Sequence, residues 1–384
     1  MDDFDDTAAA GREPADSGRT PRRLVVGSPD DLLACVPLAL GFVPTGSVVM
    51  VAVGGAGGPH ARVDVPTVER VHEVAECLAR PALAHGVTTV ALVVYADLEL
   101  AEQLAPGLLV GFARAGVQVV ALVGADGERW VSLEPGSRTR LPREYDALAH
   151  RFVTEAVVDG QVVLGSRAAL ADALAPVPEE VEQVERCLDR LLGAETPPPR
   201  AAPERLARLV RRSTALGHRP GVRELALLRL GVQAPEGRDA AWSWVRREDA
   251  RAHVDLWIRV VRSCSEGRAA APASVLAFHA WLAGDGALAW CALDRAGERG
   301  NSTSLAALVG DLLARAVSPS AWVALAPTPE QAERRGSGVG PAAGSGRLGG
   351  CGGEGASARL VASREVRAAE VVDLAERRRR RGQC

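Results

Sequence analysis

The chain has 384 residues, of which 47% are hydrophobic and 24% are charged, and its formal net charge at pH 7 is −3. This length is enough for two domains with cores of their own, and the near-balanced charge excludes a molecule whose overall charge attracts nucleic acid or membranes. Lysine does not occur, which excludes Schiff-base lysines and the lysine of a phosphate-binding P-loop.

The first predicted helix begins at Ser28, which is a good N-cap, and Asp31 occupies the acidic position of a capping box. Gly41 predicts the end of this helix, and residues 48–53 predict a buried strand. Ser47 lacks the Gly-x-Ser-x-Gly pattern of a nucleophile elbow. We therefore interpret the conspicuous stretch LGFVPTGS as a corner between a helix and a strand.

Helices and strands alternate as far as about residue 175. Helical patterns cover about 68–84, 98–115, 145–158 and 166–174, and strand patterns cover about 61–66, 88–95, 117–123, 130–133 and 161–164. The strands at 88–95 and 117–123 are almost continuously apolar, as is typical of parallel strands covered on both faces. We predict an α/β domain over residues 22–175, with a mixed, mainly parallel sheet flanked by helices.

Only helical patterns follow this region. A helix and a Pro-rich linker occupy residues 176–203, and an all-helical domain is predicted over 204–325, with one of its helices at about 239–263. Around Gly284 the sequence resembles a degenerate tetratricopeptide-type helical hairpin. The acidic residues 1–21 and the Gly/Ala/Arg-rich residues 326–384 are predicted to be disordered.

Three stretches carry a resemblance to a known family. They are SPDDLLACVPLALGFVPTGSVVMVAV from Ser28, ARVDVP from Ala61, and APASVLAFHAWLAGDGALAWCALDRA from Ala271. Together they resemble the actinobacterial family of the domain of unknown function numbered 4192, over about residues 22–325. The resemblance implies a cytoplasmic bacterial protein. It implies no activity and no catalytic residue.

The candidate site lies where two predicted strands end, because ligands bind outside the carboxyl ends of strands in open α/β sheets. Tyr95 and Asp97 follow one strand, and Asp126 follows the next. We predict these three residues as ligand-binding, since two carboxylates on one rim could bind a metal ion or share acid–base work. The alternative is structural: Asp97 caps the following helix, and Asp126 forms a turn with Gly127. Both residue types are usual at those structural positions.

The cysteines and histidines indicate no metal site. The seven cysteines include no Cys-x-x-Cys pair, and the seven histidines show no zinc-hydrolase spacing. Cys35 lies in an apolar helical pattern, where a buried, inert thiol is common. His253 and His279 are expected to be half-buried structural residues. We predict no catalytic residue, no metal ligand and no cofactor.

Two classes of function stay open. The favoured one is a non-enzymatic cytoplasmic binding or regulatory protein whose helical domain docks a protein partner. The alternative is a small-molecule-binding or hydrolytic α/β domain with its site at the carboxyl ends of the strands.

The arginine run Arg377–Arg381 predicts a weak contact with nucleic acid, or with the acidic N-terminus. Neither a signal peptide nor a membrane-spanning apolar run is expected.

Overall fold

The structure is a computed structural model that describes residues 24–54, 58–137, 141–159, 161–193, 203–215, 217–301 and 304–325. The predicted disordered ends at 1–21 and 326–384 lie outside the described residues, as do Arg377–Arg381 and most of the Pro-rich linker.

Most helices and strands of the described residues lie close to their predicted positions, but the short strand at residues 143–144 was not predicted. The helices are α1 (Pro29–Leu40), α2 (Val71–Ala84), α3 (Leu98–Arg114), α4 (Arg151–Val158), α5 (Arg167–Asp172), α6 (Pro178–Leu192), α7 (Pro203–Ala215), α8 (Val222–Gly231), α9 (Pro235–Trp242), α10 (Ala250–Arg262), α11 (Ala270–Leu282), α12 (Gly286–Asn301), α13 (Ser304–Ala314) and α14 (Ser320–Leu325). The strands are β1 (Ser47–Ala52), β2 (Ala61–Asp64), β3 (Thr89–Tyr95), β4 (Gln118–Ala125), β5 (Arg129–Ser132) and β6 (Arg143–Glu144).

The six strands form one mixed sheet in the order β2-β1-β3-β4-β5-β6. Only the β3–β4 pair is parallel, and the other four pairs are antiparallel. The prediction of a mainly parallel sheet is therefore wrong. The apolar runs of β1 and β3 reflect burial on both faces of the sheet, and helices provide that burial whichever way the neighbouring strand runs.

The two faces of the sheet belong to two different cores. Alternate residues of β1, Val48 and Met50, pack with the helices α2 and α3. The residues between them, Val49 and Val51, face a larger core that includes α1 and continues into the helices beyond residue 177. That the α/β and helical parts fold as separate domains stays a prediction.

Local signals placed the ends of α1 correctly. The Ser28 hydroxyl accepts a hydrogen bond from the Asp31 N–H at 3.1 Å, and the same hydroxyl donates to the Asp31 carboxylate at 2.9 Å. At the other end Gly41 has φ 79°, and its N–H donates to the Pro37 carbonyl at 2.8 Å. A positive φ is accessible to glycine without a steric penalty, so the helix ends there.

Three boundaries differ from the predictions. The predicted helix at 239–263 is two helices, because the turns between Trp242 and Ala250 redirect the chain so that both helices reach α11. The predicted strand at 161–164 is a single bridge between Leu164 and Phe42. The helix expected from residue 145 begins at Arg151, since the residues before it form a hydrogen-bonded turn.

The helical part is built around the hairpin of α11 and α12. Its tight turn is closed by the N–H of Gly284, which donates to the Trp281 carbonyl at 2.8 Å, and by the N–H of Asp285, which donates to the Ala280 carbonyl at 2.7 Å. Both His253 and His279 are fully buried here, so the expectation of half-burial is wrong. No helix in the described part of the chain combines the length and the apolarity needed to cross a membrane.

Candidate functional site

A cavity of about 480 Å³ opens at the edge of the sheet where β3 and β4 end. Tyr95 and Ala125 are partners in the parallel β3–β4 register, so the two strands end side by side. Among the described residues, the lining comes from α1, the loop after it, the end of β3, the β4–β5 turn and the segment before α4. It comprises Pro37, Val43, Tyr95, Gly127, Glu128, Arg129, Glu144, Tyr145, Asp146, Ala147 and Leu148.

Tyr95 is the predicted site residue that lines this cavity. Only 4% of its surface is exposed, and its hydroxyl has no hydrogen-bond partner among the described residues. Burial raises the pKa of Tyr95 well above its usual value, and Tyr145 and Cys35 raise it further. The phenol is therefore neutral at pH 7. A buried hydroxyl without a partner costs about 1–3 kcal/mol, so a ligand group that bonds to it recovers a substantial free energy.

The two predicted carboxylates accept hydrogen bonds from backbone N–H groups, and neither residue lines the cavity. The Asp97 carboxylate accepts from the Glu99 N–H at 2.9 Å and caps α3. The Asp126 carboxylate accepts from the N–H groups of Glu128 and Arg129, at 3.0 and 2.7 Å, and from the Arg129 guanidinium at 2.9 Å. Burial raises the pKa of Asp126, but these bonds outweigh burial and leave it lowered. The two carboxylates therefore do not converge on one ligand.

Residues 144–148, most of which were predicted to be helical, form part of the cavity lining. The N–H of Tyr145 donates to the Glu128 carbonyl at 2.9 Å and continues the β5–β6 pairing. The Asp146 carboxylate accepts from the N–H groups of Leu148 and Ala149, at 2.9 and 3.0 Å. Burial raises the pKa of Tyr145 to about 12, and the charge of Asp126 adds to that shift. Tyr145 is therefore also a neutral phenol at pH 7.

His150 holds this segment against α1. Its Nδ1 accepts from the Phe152 N–H at 3.3 Å and caps α4, so in the neutral ring the proton is on Nε2. Nε2 lies 3.2 Å from the Asp31 carboxylate. A second tie runs from the indole N–H of Trp130 to the Asp30 carboxylate at 2.9 Å. The Asx turn at Asp146 and the cap at His150 can be recognised from neighbouring residues in the sequence. Neither feature shows that these residues contact α1.

The charges around the cavity select against anions. Glu128, Glu144 and Asp146 contribute carboxylates to the lining, while Arg129 is its only described guanidinium and is already paired with Asp126. Like charges repel, so an anionic ligand is disfavoured at this rim. The rim suits an uncharged or cationic molecule with an apolar body and one group that hydrogen-bonds to a phenol.

The nucleophilic groups nearest to the site are not activated. Burial raises the pKa of the Cys35 thiol to about 12, and the charge of Asp31 adds to this effect, so the thiolate is scarce at neutral pH. The Ser47 hydroxyl is buried and donates to the Thr45 carbonyl at 3.0 Å. In the described part of the chain, no group of three or more His, Cys, Asp and Glu side chains is arranged to hold a metal ion.

The fold and this cavity define a mixed α/β protein with a candidate small-molecule site at the edge of its sheet. The chain belongs to the family described as Domain of unknown function (DUF4192), whose model matches residues 29–320. The match confirms the resemblance seen in the sequence, and the actinobacterial origin stays a prediction. No curated protein and no solved structure matches the chain.

Proposed function

We propose that this chain is a non-enzymatic cytoplasmic protein that binds a small uncharged or cationic molecule in the sheet-edge cavity. The observation that carries the proposal is that Tyr95, whose buried hydroxyl has no hydrogen-bond partner among the described residues, is one of the residues that line a cavity of about 480 Å³. A volume of this size lies within the range of small-molecule sites, which are mostly apolar with a few converging polar groups.

The protonation states support binding over catalysis. Tyr95 and Tyr145 are protonated at pH 7, as an ordinary tyrosine is, and burial raises the pKa of both further, so they can donate hydrogen bonds and do not act as general bases. The thiol of Cys35 is protonated for the same reason. A hydrolytic site would need an activated nucleophile beside a base, and neither the buried thiol nor the engaged Ser47 hydroxyl meets that need.

Filling the cavity tests the proposal. Leu148 lines it and is 48% exposed, so Leu148→Trp places a larger side chain there at little cost in stability. We expect an uncharged or cationic metabolite from a thermal-shift panel to raise the Tm of the wild type by about 5 °C or more when it is present at about 100 times its Kd. The same compound should leave the Tm of Leu148→Trp unchanged.

Leu83→Trp is the matched control, because Leu83 is 49% exposed near the end of α2 and does not line the cavity. It should respond to the compound as the wild type does. Stabilisation that is confined to anionic compounds, or that is equal in the Leu148→Trp protein, would show that this cavity is not the binding site.

A further inference from the structure

A second cavity, of about 410 Å³, lies between α7 and α8 in the helical part of the chain. We call it the arginine groove and define it by its described lining residues, which are Arg205, Leu206, Arg208, Leu209, Arg212, Arg223, Glu224 and Leu227. Arg205, Arg208 and Arg212 are spaced three and four residues apart, so they share one face of α7. Three leucine side chains form the apolar part of the lining.

The groove concentrates positive charge on a chain whose net charge is negative. Four exposed arginines face a single carboxylate, that of Glu224. This carboxylate lies 2.8 Å from the His218 Nε2, accepts from the Gly221 N–H at 2.9 Å, and is 3.8 Å from the Arg212 guanidinium. It therefore has little capacity left to neutralise the remaining arginines.

The arrangement disfavours α7 in isolation. Like charges three or four residues apart destabilise a helix by about 0.2–0.5 kcal/mol per pair. An anionic occupant of the groove would reverse the sign of this effect, because each guanidinium gains an opposite charge. The leucines add a requirement that the occupant carries an apolar side chain among its negative charges.

We propose that the arginine groove is occupied by the acidic N-terminal segment of the same chain, Asp2–Asp6. This segment is Asp-Asp-Phe-Asp-Asp, which matches four arginines with four carboxylates and offers Phe4 to the leucines. It lies outside the described residues. This interaction is separate from the small-molecule site, since the groove shares no lining residue with the sheet-edge cavity.

The length of chain before Leu24 is sufficient for such docking. An extended chain spans about 3.3 Å per residue, so the segment reaches roughly 70 Å, whereas a folded body of this size has a radius of gyration of about 19 Å. Because segment and groove are parts of one molecule, the effective concentration is in the millimolar range. Ion pairs that are individually weak are therefore enough to hold the segment.

The absence of lysine permits a selective test. The 384 residues include no lysine, so the α-amine is the only amine of this chain and an amine-reactive, uncharged fluorophore labels its N-terminus alone. In time-resolved anisotropy, a docked segment tumbles with the whole protein and an undocked one moves faster. We expect a large slow component at about 20 mM NaCl and at least a twofold smaller one at about 500 mM NaCl, since salt screens these pairs.

Three variants decide where the segment binds. Arg205→Gln/Arg208→Gln/Arg212→Gln should lose the slow component at low salt, and so should the variant with Asn at each of Asp2, Asp3, Asp5 and Asp6. The matched control, Arg80→Gln/Arg114→Gln/Arg262→Gln, removes three exposed arginines elsewhere and should behave as the wild type.

Two results would overturn the proposal. The first is a slow component that survives in the groove variant. The second is a slow component lost only when Arg377–Arg381 are all replaced by glutamine, which would place the acidic segment on the C-terminal arginines.

Discussion

Lowering the pH from 7 to 5 is expected to reduce the free energy of unfolding through two buried histidines, by about 2 kcal/mol from His253 alone. His253 and His279 are 1% and 0% exposed, and their rings stack with centroids 4.8 Å apart. Burial lowers the pKa of His253 to about 4. Burial and the neighbouring His253 lower the pKa of His279 well below its usual value.

The sign of the effect follows from proton binding. In the unfolded chain both histidines titrate near their usual pKa of about 6.5. Below that pH the unfolded chain binds protons that the folded protein does not, until the folded pKa of each ring is reached. The stabilising contribution of the neutral rings is thus complete above about pH 7 and is lost as the pH falls.

Urea unfolding at pH 7, 6 and 5 measures this loss. His253→Phe keeps an aromatic ring against His279 and Trp244 and removes one of the titrating groups. It should remove about 2 kcal/mol of the loss of stability between pH 7 and 5. The control His72→Phe changes an exposed histidine of α2 and should keep the full dependence. Equal slopes for His253→Phe and the wild type would contradict the expectation.

Glu185→Ala is expected to destabilise the protein by about 3 kcal/mol, because it leaves the buried Arg229 guanidinium without its carboxylate partner and with only the Ser263 carbonyl among its described partners. Arg229 is 3% exposed, and its Nη2 donates to the Glu185 carboxylate at 2.8 Å. The same carboxylate accepts from the Ser265 hydroxyl at 3.1 Å and from the Arg268 guanidinium at 3.0 Å. It therefore joins α6 to α8 and to the segment that follows α10.

The expected loss of stability depends on the burial of Arg229 and not on the number of hydrogen bonds that Glu185 accepts. Breaking a buried ion pair costs about 3–5 kcal/mol, and the lower end applies because 23% of the Glu185 side chain is exposed. Glu182→Ala is the matched control on the same helix, since among the described residues Glu182 pairs with the exposed Arg186, at 3.6 Å. Exposed pairs contribute about 0–1 kcal/mol. Comparable losses for both variants in urea unfolding would refute the role given to Arg229.

Local sequence signals predicted much of the fold. The cap at Ser28, the stop at Gly41 and the apolar strand that ends at Tyr95 all depend on residues within one turn or one strand. The position of Tyr95 at the end of β3 followed from the same reasoning. These features are set by short-range steric and hydrogen-bonding preferences, which a single sequence displays.

The remaining features depend on contacts between distant segments. The direction of a neighbouring strand does not change the apolar pattern of a strand that is covered on both faces, so the antiparallel β1–β3 pair was not foreseen. The segment at Tyr145 reaches Tyr95 through β6 pairing and through the contact of His150 with Asp31. The burial of His279 depends on how α10 and α11 pack.

The stability of Tyr95→Phe tests the central claim most directly, namely that the Tyr95 hydroxyl, which has no hydrogen-bond partner among the described residues, is the group left for a ligand to bond to. Removing an unsatisfied buried hydroxyl while keeping the ring should raise the free energy of unfolding by about 1 kcal/mol in urea unfolding at pH 7. A fall of about 1 kcal/mol would show that the hydroxyl already has a partner, and the cavity would then lack the polar group on which the proposed binding depends.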